Sequence, residues 1–399
     1  MSITNAATGH TATEIIRAID EGHRERSAGI GIALLALNIG LYAATLLGIL
    51  AASNPLLKAF LILFNGLFIG TLFVLAHDAC HGSLTPHAFL NGLIARVAFL
   101  PALQPYSTWV LGHNRLHHSM TNLRGRDYVW TPLTWQEYRR MGWFGRAVER
   151  FYRSLAGLGL YYMVEMWFKH MIFPRRSDLA QIKNRRLLWS DLALVAIYAV
   201  CMCASVLAAN RLIAGALDRP AISPAWPLTT ALLLPYLVWS YLSGFLTYLH
   251  HTHPRTVWFA NRREWNFYRG QLRDTVHAKF PRLVGLFFHN IMEHTAHHVD
   301  PKIPLYHLAS GQRQLEARFD EIIEEEWSLR GFLKTLSACQ LYDYANHQWL
   351  DFDGRPTTEA ATFADSVFEA ETAADRRLFP TRTIERESEP SESLLTDVK

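Results

Sequence analysis

The stretch AFLILFNGLFIGTLFVLAHDACHGSL, residues 59–84, decides how this chain is to be read, because an uncharged apolar run gives way at residue 77 to two histidines four apart, His77 and His81. As a helix rising about 1.5 Å per residue, such a run approaches the roughly 30 Å of a bilayer's hydrocarbon core. The preceding run, IGIALLALNIGLYAATLLGILAA at 30–52, also carries no charge. The short SNPLLK between them reads as the tight turn of a transmembrane hairpin. The plan repeats downstream, where LWSDLALVAIYAVCMCASVLAA (188–209) is followed, after a short loop, by WPLTTALLLPYLVWSYLSGFLTYL (226–249), which runs into His250.

Two further apolar stretches, 88–103 and 155–173, are shorter or interrupted by Arg96, Glu165, Lys169 and His170, and read as helices lying in the membrane interface. The expectation is an all-α integral membrane protein with four transmembrane helices in two hairpins. Its parts are an N-terminal segment (1–29), a membrane domain (30–320), a C-terminal helical segment (321–353) and a disordered tail (354–399) rich in Glu, Ser, Thr and Pro. Residues 77–187 are dense in arginine, from Arg115 and Arg124 to Arg185 and Arg186, whereas 210–225 holds only Arg211 and Arg219. The excess of basic residues places the histidine-bearing segments on the cytoplasmic side as a helical cap.

Composition agrees with this frame. Half of the residues are hydrophobic, and the net charge of +4 is explained by cytoplasmic loops facing anionic lipid headgroups, without nucleic acid as a partner. The four cysteines, Cys80, Cys201, Cys203 and Cys339, form neither a CxxC pair nor a disulfide framework. The polar residues 1–29 do not resemble a cleavable signal peptide.

The histidines carry the chemistry. They gather in HDACH (His77, His81), HNRLHH (His113, His117, His118), LHHTHP (His250, His251, His253) and HNIMEHTAHH (His289, His294, His297, His298), each just past an apolar segment or within the basic loops. Helical positions i, i+3 and i+4 share one face, so each box is expected to aim its imidazoles at one spot. Interface histidines explain a single pair, but four clusters on one side would crowd imidazoles that, uncharged, lose hydration and, charged, repel, whereas a metal satisfies them all. One structural zinc takes about four ligands and leaves most of these unused, so two metals are implied. The boxes lack the Glu-x-x-His pairs of soluble di-iron bundles. What remains is a histidine-rich dinuclear site at the membrane face, where iron with O2 is the sensible choice for a hydrocarbon-chain substrate.

Here the residues resemble a known family, the membrane fatty acid desaturases with their three histidine boxes, most closely of the Δ12/ω-3 type. HHSMTNLRGRDYVWTP is similar to the second box with its trailing Asn122, Asp127 and Pro132; YLHHTHPRTVWFANRREWNFYRGQL to the segment after the fourth helix; and HNIMEHTAHHVDPKIPLYH to the third box with Pro304, Tyr306 and His307. The resemblance implies two iron ions held by His77, His81, His113, His117, His118, His251, His294, His297 and His298, with His251 preferred over His250 and His253. Asp78, Asp127, Glu293 and His289 are candidates to orient those imidazoles. His170 and His307 read as packing residues, and His10, His23, His87, His277 and His347 as solvated.

The implied activity is O2-dependent desaturation of a fatty acyl chain, carried as a lipid or an acyl thioester. Electrons would come from an external ferredoxin or cytochrome donor, since the chain has neither a haem motif nor a GxGxxG fingerprint. One feature departs from the plant-type pattern: HNRLHH has three residues between histidines where two are usual, as in alkane hydroxylases. A di-iron hydroxylase of an alkyl or lipid substrate is therefore the alternative. A membrane metal carrier is a third reading, disfavoured because the clusters sit at helix ends rather than at the bilayer midplane. The protein is expected to be multi-pass, in the cytoplasmic membrane if bacterial, with its site on the cytoplasmic face.

Overall fold

The structure is a computed structural model and describes residues 10–361 apart from 180, 183 and 221. Most of the tail expected to be disordered, 362–399, lies outside the described residues.

Four helices are long and apolar enough to cross a membrane: Ala28–Ala51, Pro55–His81, Arg185–Ala216 and Ala225–His251. The last three contain the runs read from hydropathy and extend them, and the first covers its run except for Ala52, which caps it in an extended conformation. The second begins where Asn54 accepts the Leu56 and Leu57 N–H groups at 2.9 and 3.0 Å and Pro55 occupies the first turn, where its missing N–H costs nothing. It does not stop at residue 76, because its backbone hydrogen bonds continue to Cys80 and carry His77 into the last turn. Exposed apolar side chains such as Leu37, Leu47, Ile197, Val200 and Leu212 cover the first and third long helices. On an integral membrane protein such a surface faces lipid.

The second long helix is the hub, packing on the first, on the fourth and on Ala88–Phe99. Its buried Asn65 donates to Tyr42 O at 2.9 Å and to Thr45 Oγ1 at 2.8 Å, satisfying its amide N–H groups within the bundle. Its crossing with the fourth helix is close. A Cβ on Gly66 would lie 2.5 Å from Val238 Cβ and 2.8 Å from Pro235 O, so glycine permits the contact.

The two stretches read as interface helices are more broken than expected. Ala88–Ala102 and Tyr106–His117 are bent by 100° at the break between them, and the second becomes a π-helix over Val110–His117. Leu158–Tyr161 likewise runs into a π-helix, Tyr162–Ile172, and its Gly159 packs against the Tyr241 backbone of the fourth long helix.

The chain is mostly helical but not all-α, which corrects the expectation. β1 (Val276–Lys279) pairs in parallel with β2 (Ile323–Glu326), Val276 opposite Ile323, and β3 (Leu341–Asp343) pairs antiparallel with β4 (Gln348–Leu350). The stretch 321–353, expected helical, thus holds three short strands and one helix, Leu329–Ala338. Strands of three and four residues are too short for an alternating pattern to register, and β2 is an acidic run, IEEE, whose pairing comes from a distant partner.

Candidate metal centre

The histidine boxes meet where the second and fourth long helices end. His77 and His81 come from the end of the second and His251 from the last residue of the fourth. His113, His117 and His118 come from the π-helix and its cap, and His294, His297 and His298 from the short helix His294–Val299. They form two groups of converging ring atoms, His77, His81, His113, His118 and His297 in one and His117, His251, His294 and His298 in the other, the ligand atoms of each group within 4.8 Å of one another. Those nine are the set carried over from the resemblance.

The division was not expected. The second box does not aim at one spot, because His113 and His118 enter the five-histidine group and His117 the other. The π-helix is the reason: His118 N–H donates to His113 O at 2.9 Å, an i to i+5 bond that brings positions five apart onto one face. The third box splits too, with His297 in the first group and His294 and His298 in the second.

The donor set fits metal ions. His118 Nε2 faces His113 Nε2 at 3.0 Å and His297 Nε2 at 3.1 Å, and His251 Nε2 faces His294 Nε2 at 2.9 Å. Two nitrogens bound at about 2.1 Å to one ion and at right angles lie about 3 Å apart. His81 Nε2 and His298 Nε2 are buried without a protein partner. Burial, reinforced by neighbouring imidazoles, holds His113, His118, His294, His297 and His298 well below the usual histidine range. Neutral rings are the form that ligates.

Of the four residues expected to orient the imidazoles, Asp127 is the one that bonds a clustered ring among the described residues. Its Oδ1 accepts from His117 Nδ1 at 2.9 Å, leaving Nε2 for the group. The same carboxylate accepts Asn122 N at 2.8 Å and Val129 N at 2.9 Å, so its position is fixed from the backbone. Asp78 is buried but accepts the Leu305 N–H at 3.2 Å, tying the loop after the third box to the second helix. His289 reaches Asn38 of the first helix at 3.3 Å. Glu293, half-buried at the start of the His294–Val299 helix, has its carboxyl pushed upward by burial.

His250 stacks on His294 with centroids 4.1 Å apart, and His253 Nδ1 accepts the Arg255 N–H, so neither joins a group. His170 stacks on Tyr128, as a packing residue should. His277, read as solvated, is paired with Glu316 and largely covered. Sequence reasoning missed Gln271 and Thr121, both fully buried beside His298. Their signal lies in tertiary contact, not spacing.

Two openings reach the histidines. A narrow apolar cavity lined by Phe73, Val74, Trp109, Trp239, Leu242 and Leu246 ends at His77, His113, His117 and His251. A pocket of about 550 Å³ reaches His81, His118 and His298 past Arg17, Arg24 and Lys302.

A family model described as fatty acid desaturase matches residues 53–329. Relatives include the sn-1 oleoyl-lipid 12-desaturase of Synechocystis sp., 26% identical over 340 residues that cover 83% of this chain and 88% of that one. The sn-1 oleoyl-lipid 12-desaturase of Picosynechococcus sp. is 27% identical over 300 residues, covering 72% and 77%. The chloroplastic omega-6 fatty acid desaturase of Glycine max is 26% identical over 296 residues, covering 70% of this chain and 61% of that one. The match thus spans about three fifths of the plant relatives' length.

Proposed function

This chain belongs to the fatty acid desaturase family, and we propose that it introduces a double bond into a fatty acyl chain in an O2-dependent reaction. The observation that carries this reading is the pair of all-histidine groups beside an apolar cavity. The nine clustered histidines would hold two iron ions, the five-histidine group one and the four-histidine group the other. The irons supply the oxidising chemistry that removes hydrogen from unactivated C–H bonds, which no side chain can do. The residues of the chain do the rest. Phe73, Val74, Trp109, Trp239 and Leu242 bind the acyl segment by burial and exclude water from it. Asp127 holds the proton on His117 Nδ1. Arg17 and Lys302, with Arg24 paired to Asp300 and Glu21, line the polar opening, the side from which an external ferredoxin or cytochrome donor delivers electrons.

The names of the relatives, oleoyl-lipid 12-desaturase and omega-6 desaturase, support a lipid-linked monounsaturated acyl chain as substrate. The four long helices form two hairpins, and the segments carrying the boxes make a cap on the cytoplasmic face. The longer spacing of HNRLHH, which favours hydroxylation by analogy, loses its force here. The extra residue is absorbed by a π-turn, so His113 and His118 present one face as positions four apart would on an α-helix.

Expression in a host with simple saturated and monounsaturated lipids, followed by gas chromatography of the fatty acids, tests the reading. A new species with one more double bond is expected, and a hydroxy acid or terminal alcohol in its place would overturn desaturation.

A further inference from the structure

Resting on the two-ion reading above, we infer that Gln271 is a positioning residue, which fixes the nitrogen that His298 presents to the four-histidine group and ties that ring to the backbone of the second box. Gln271 is 1% exposed and lies in the π-helical turn Tyr268–Arg273, outside every histidine box. Its Nε2 is 2.5 Å from the backbone carbonyl of His118. A carbonyl oxygen only accepts, so the amide must turn its NH2 that way, and this settles which end of the side chain is oxygen. The oxygen then faces His298 Nδ1 at 2.9 Å. An amide oxygen cannot donate, so Nδ1 carries the hydrogen. His298 Nε2, buried and without a protein partner, is left with its lone pair for a metal.

The arrangement is held from behind. Thr121 donates to His117 O at 2.9 Å and also stands 3.2 Å from Gln271 Oε1 and 3.3 Å from His298 Nδ1. Trp265 Nε1 donates to Thr121 O at 2.7 Å and lies flush against Gly270, where a Cβ would come within 2.4 Å of that nitrogen. Thr275 Oγ1 donates to the Gln271 carbonyl at 2.9 Å. One amide therefore couples a ligand of the four-histidine group to the backbone of His118, a ligand of the five-histidine group. Asp127 acts on His117 of the four-histidine group. That group thus has two of its four rings oriented by buried acceptors.

The test is iron retention by the purified full chain. Wild-type protein and the variants Gln271→Leu, Gln271→Met and Gln271→Glu are loaded anaerobically with Fe(II), then exposed to a chelator while bound iron is followed. Gln271→Leu should release one of two ions at least about tenfold faster, with the other released at the wild-type rate. Gln271→Glu, which still accepts from His298 but no longer donates to the His118 carbonyl, should release that ion more slowly than Gln271→Leu. Gln271→Met keeps the length, removes both amide bonds and reads the same quantity if the leucine variant fails to accumulate. Release of both ions at wild-type rates from Gln271→Leu or Gln271→Met, or equal acceleration of both, overturns the inference. Wild-type protein that never holds two ions would overturn the two-ion reading, and the two failures are distinguishable.

Discussion

The Nε2 atoms of His113 and His118 face one another at 3.0 Å although they stand five positions apart in sequence, while His117, adjacent to His118, points into the other group. On the proposed two-ion reading, neighbouring histidines serve different ions. His118→Ala should weaken the ion of the five-histidine group and His117→Ala that of the four-histidine group, and each should abolish product with the protein still inserted. His87→Ala, which alters an exposed ring outside both groups, should leave product unchanged. Iron content per chain with lipid analysis checks this, and full activity with two ions retained in either ligand variant would sink the assignment.

Asp127 is a second point of leverage. Asp127→Asn keeps the size but replaces either the oxygen that faces His117 Nδ1 and the Val129 N–H or the one that faces the Asn122 N–H with an NH2 that donates. Metal affinity of the four-histidine group should fall about 10- to 100-fold. Competition with a chelator measures the change, and wild-type affinity would show that Asp127 serves the loop and not the ring.

Gly244 bears on how the fourth long helix holds the Leu158–Tyr161 helix against it. A Cβ there would sit 2.1 Å from the Leu158 carbonyl oxygen, a backbone atom that cannot swing aside. Gly244→Ala should push the Leu158–Tyr161 helix off the fourth long helix and cost about 1–3 kcal/mol. The expected readout is a lower unfolding temperature in detergent. Gly215→Ala, where the new Cβ meets nothing, is the control.

Topology is testable by single cysteines and a membrane-impermeant thiol reagent. Arg140→Cys and Arg263→Cys, both on exposed residues, should react from the cytoplasmic side, and Ser223→Cys from the opposite side. The argument is parity: the first box follows the second crossing and His251 ends the fourth, so they meet on one face only if 82–184 crosses the membrane an even number of times. The bent pair Ala88–Ala102 and Tyr106–His117 obeys this as a re-entrant excursion and violates it as a single span. Opposite labelling of Arg140→Cys and Arg263→Cys, which requires an odd number of crossings in 141–184, or of His87→Cys and Arg140→Cys, which makes the bent pair a span, would break the proposed arrangement.

The sequence by itself determined the four long helices and the histidine boxes, and the likeness of those boxes to a known family picked out the nine histidines that cluster. Uninterrupted apolar length is a local property that the bilayer reads directly, and imidazoles at helical spacing are local too. It did not determine how those histidines divide. For the second box that depended on a π-turn at Val110–His117, whose one extra residue changes which side chains share a face, and for the third on how the short helix His294–Val299 is laid between the two groups. Asp78 and His289, expected to orient clustered rings, bond Leu305 and Asn38 on distant segments, because nearness in sequence to a ligand does not give a side chain an imidazole to meet. Gln271 is the converse case, a residue in no box that reaches His298 and the His118 carbonyl because the fold lays its turn beneath both. Hydrogen bonds of a few ångströms between residues far apart in the chain are settled by packing, and only the tertiary structure decides them.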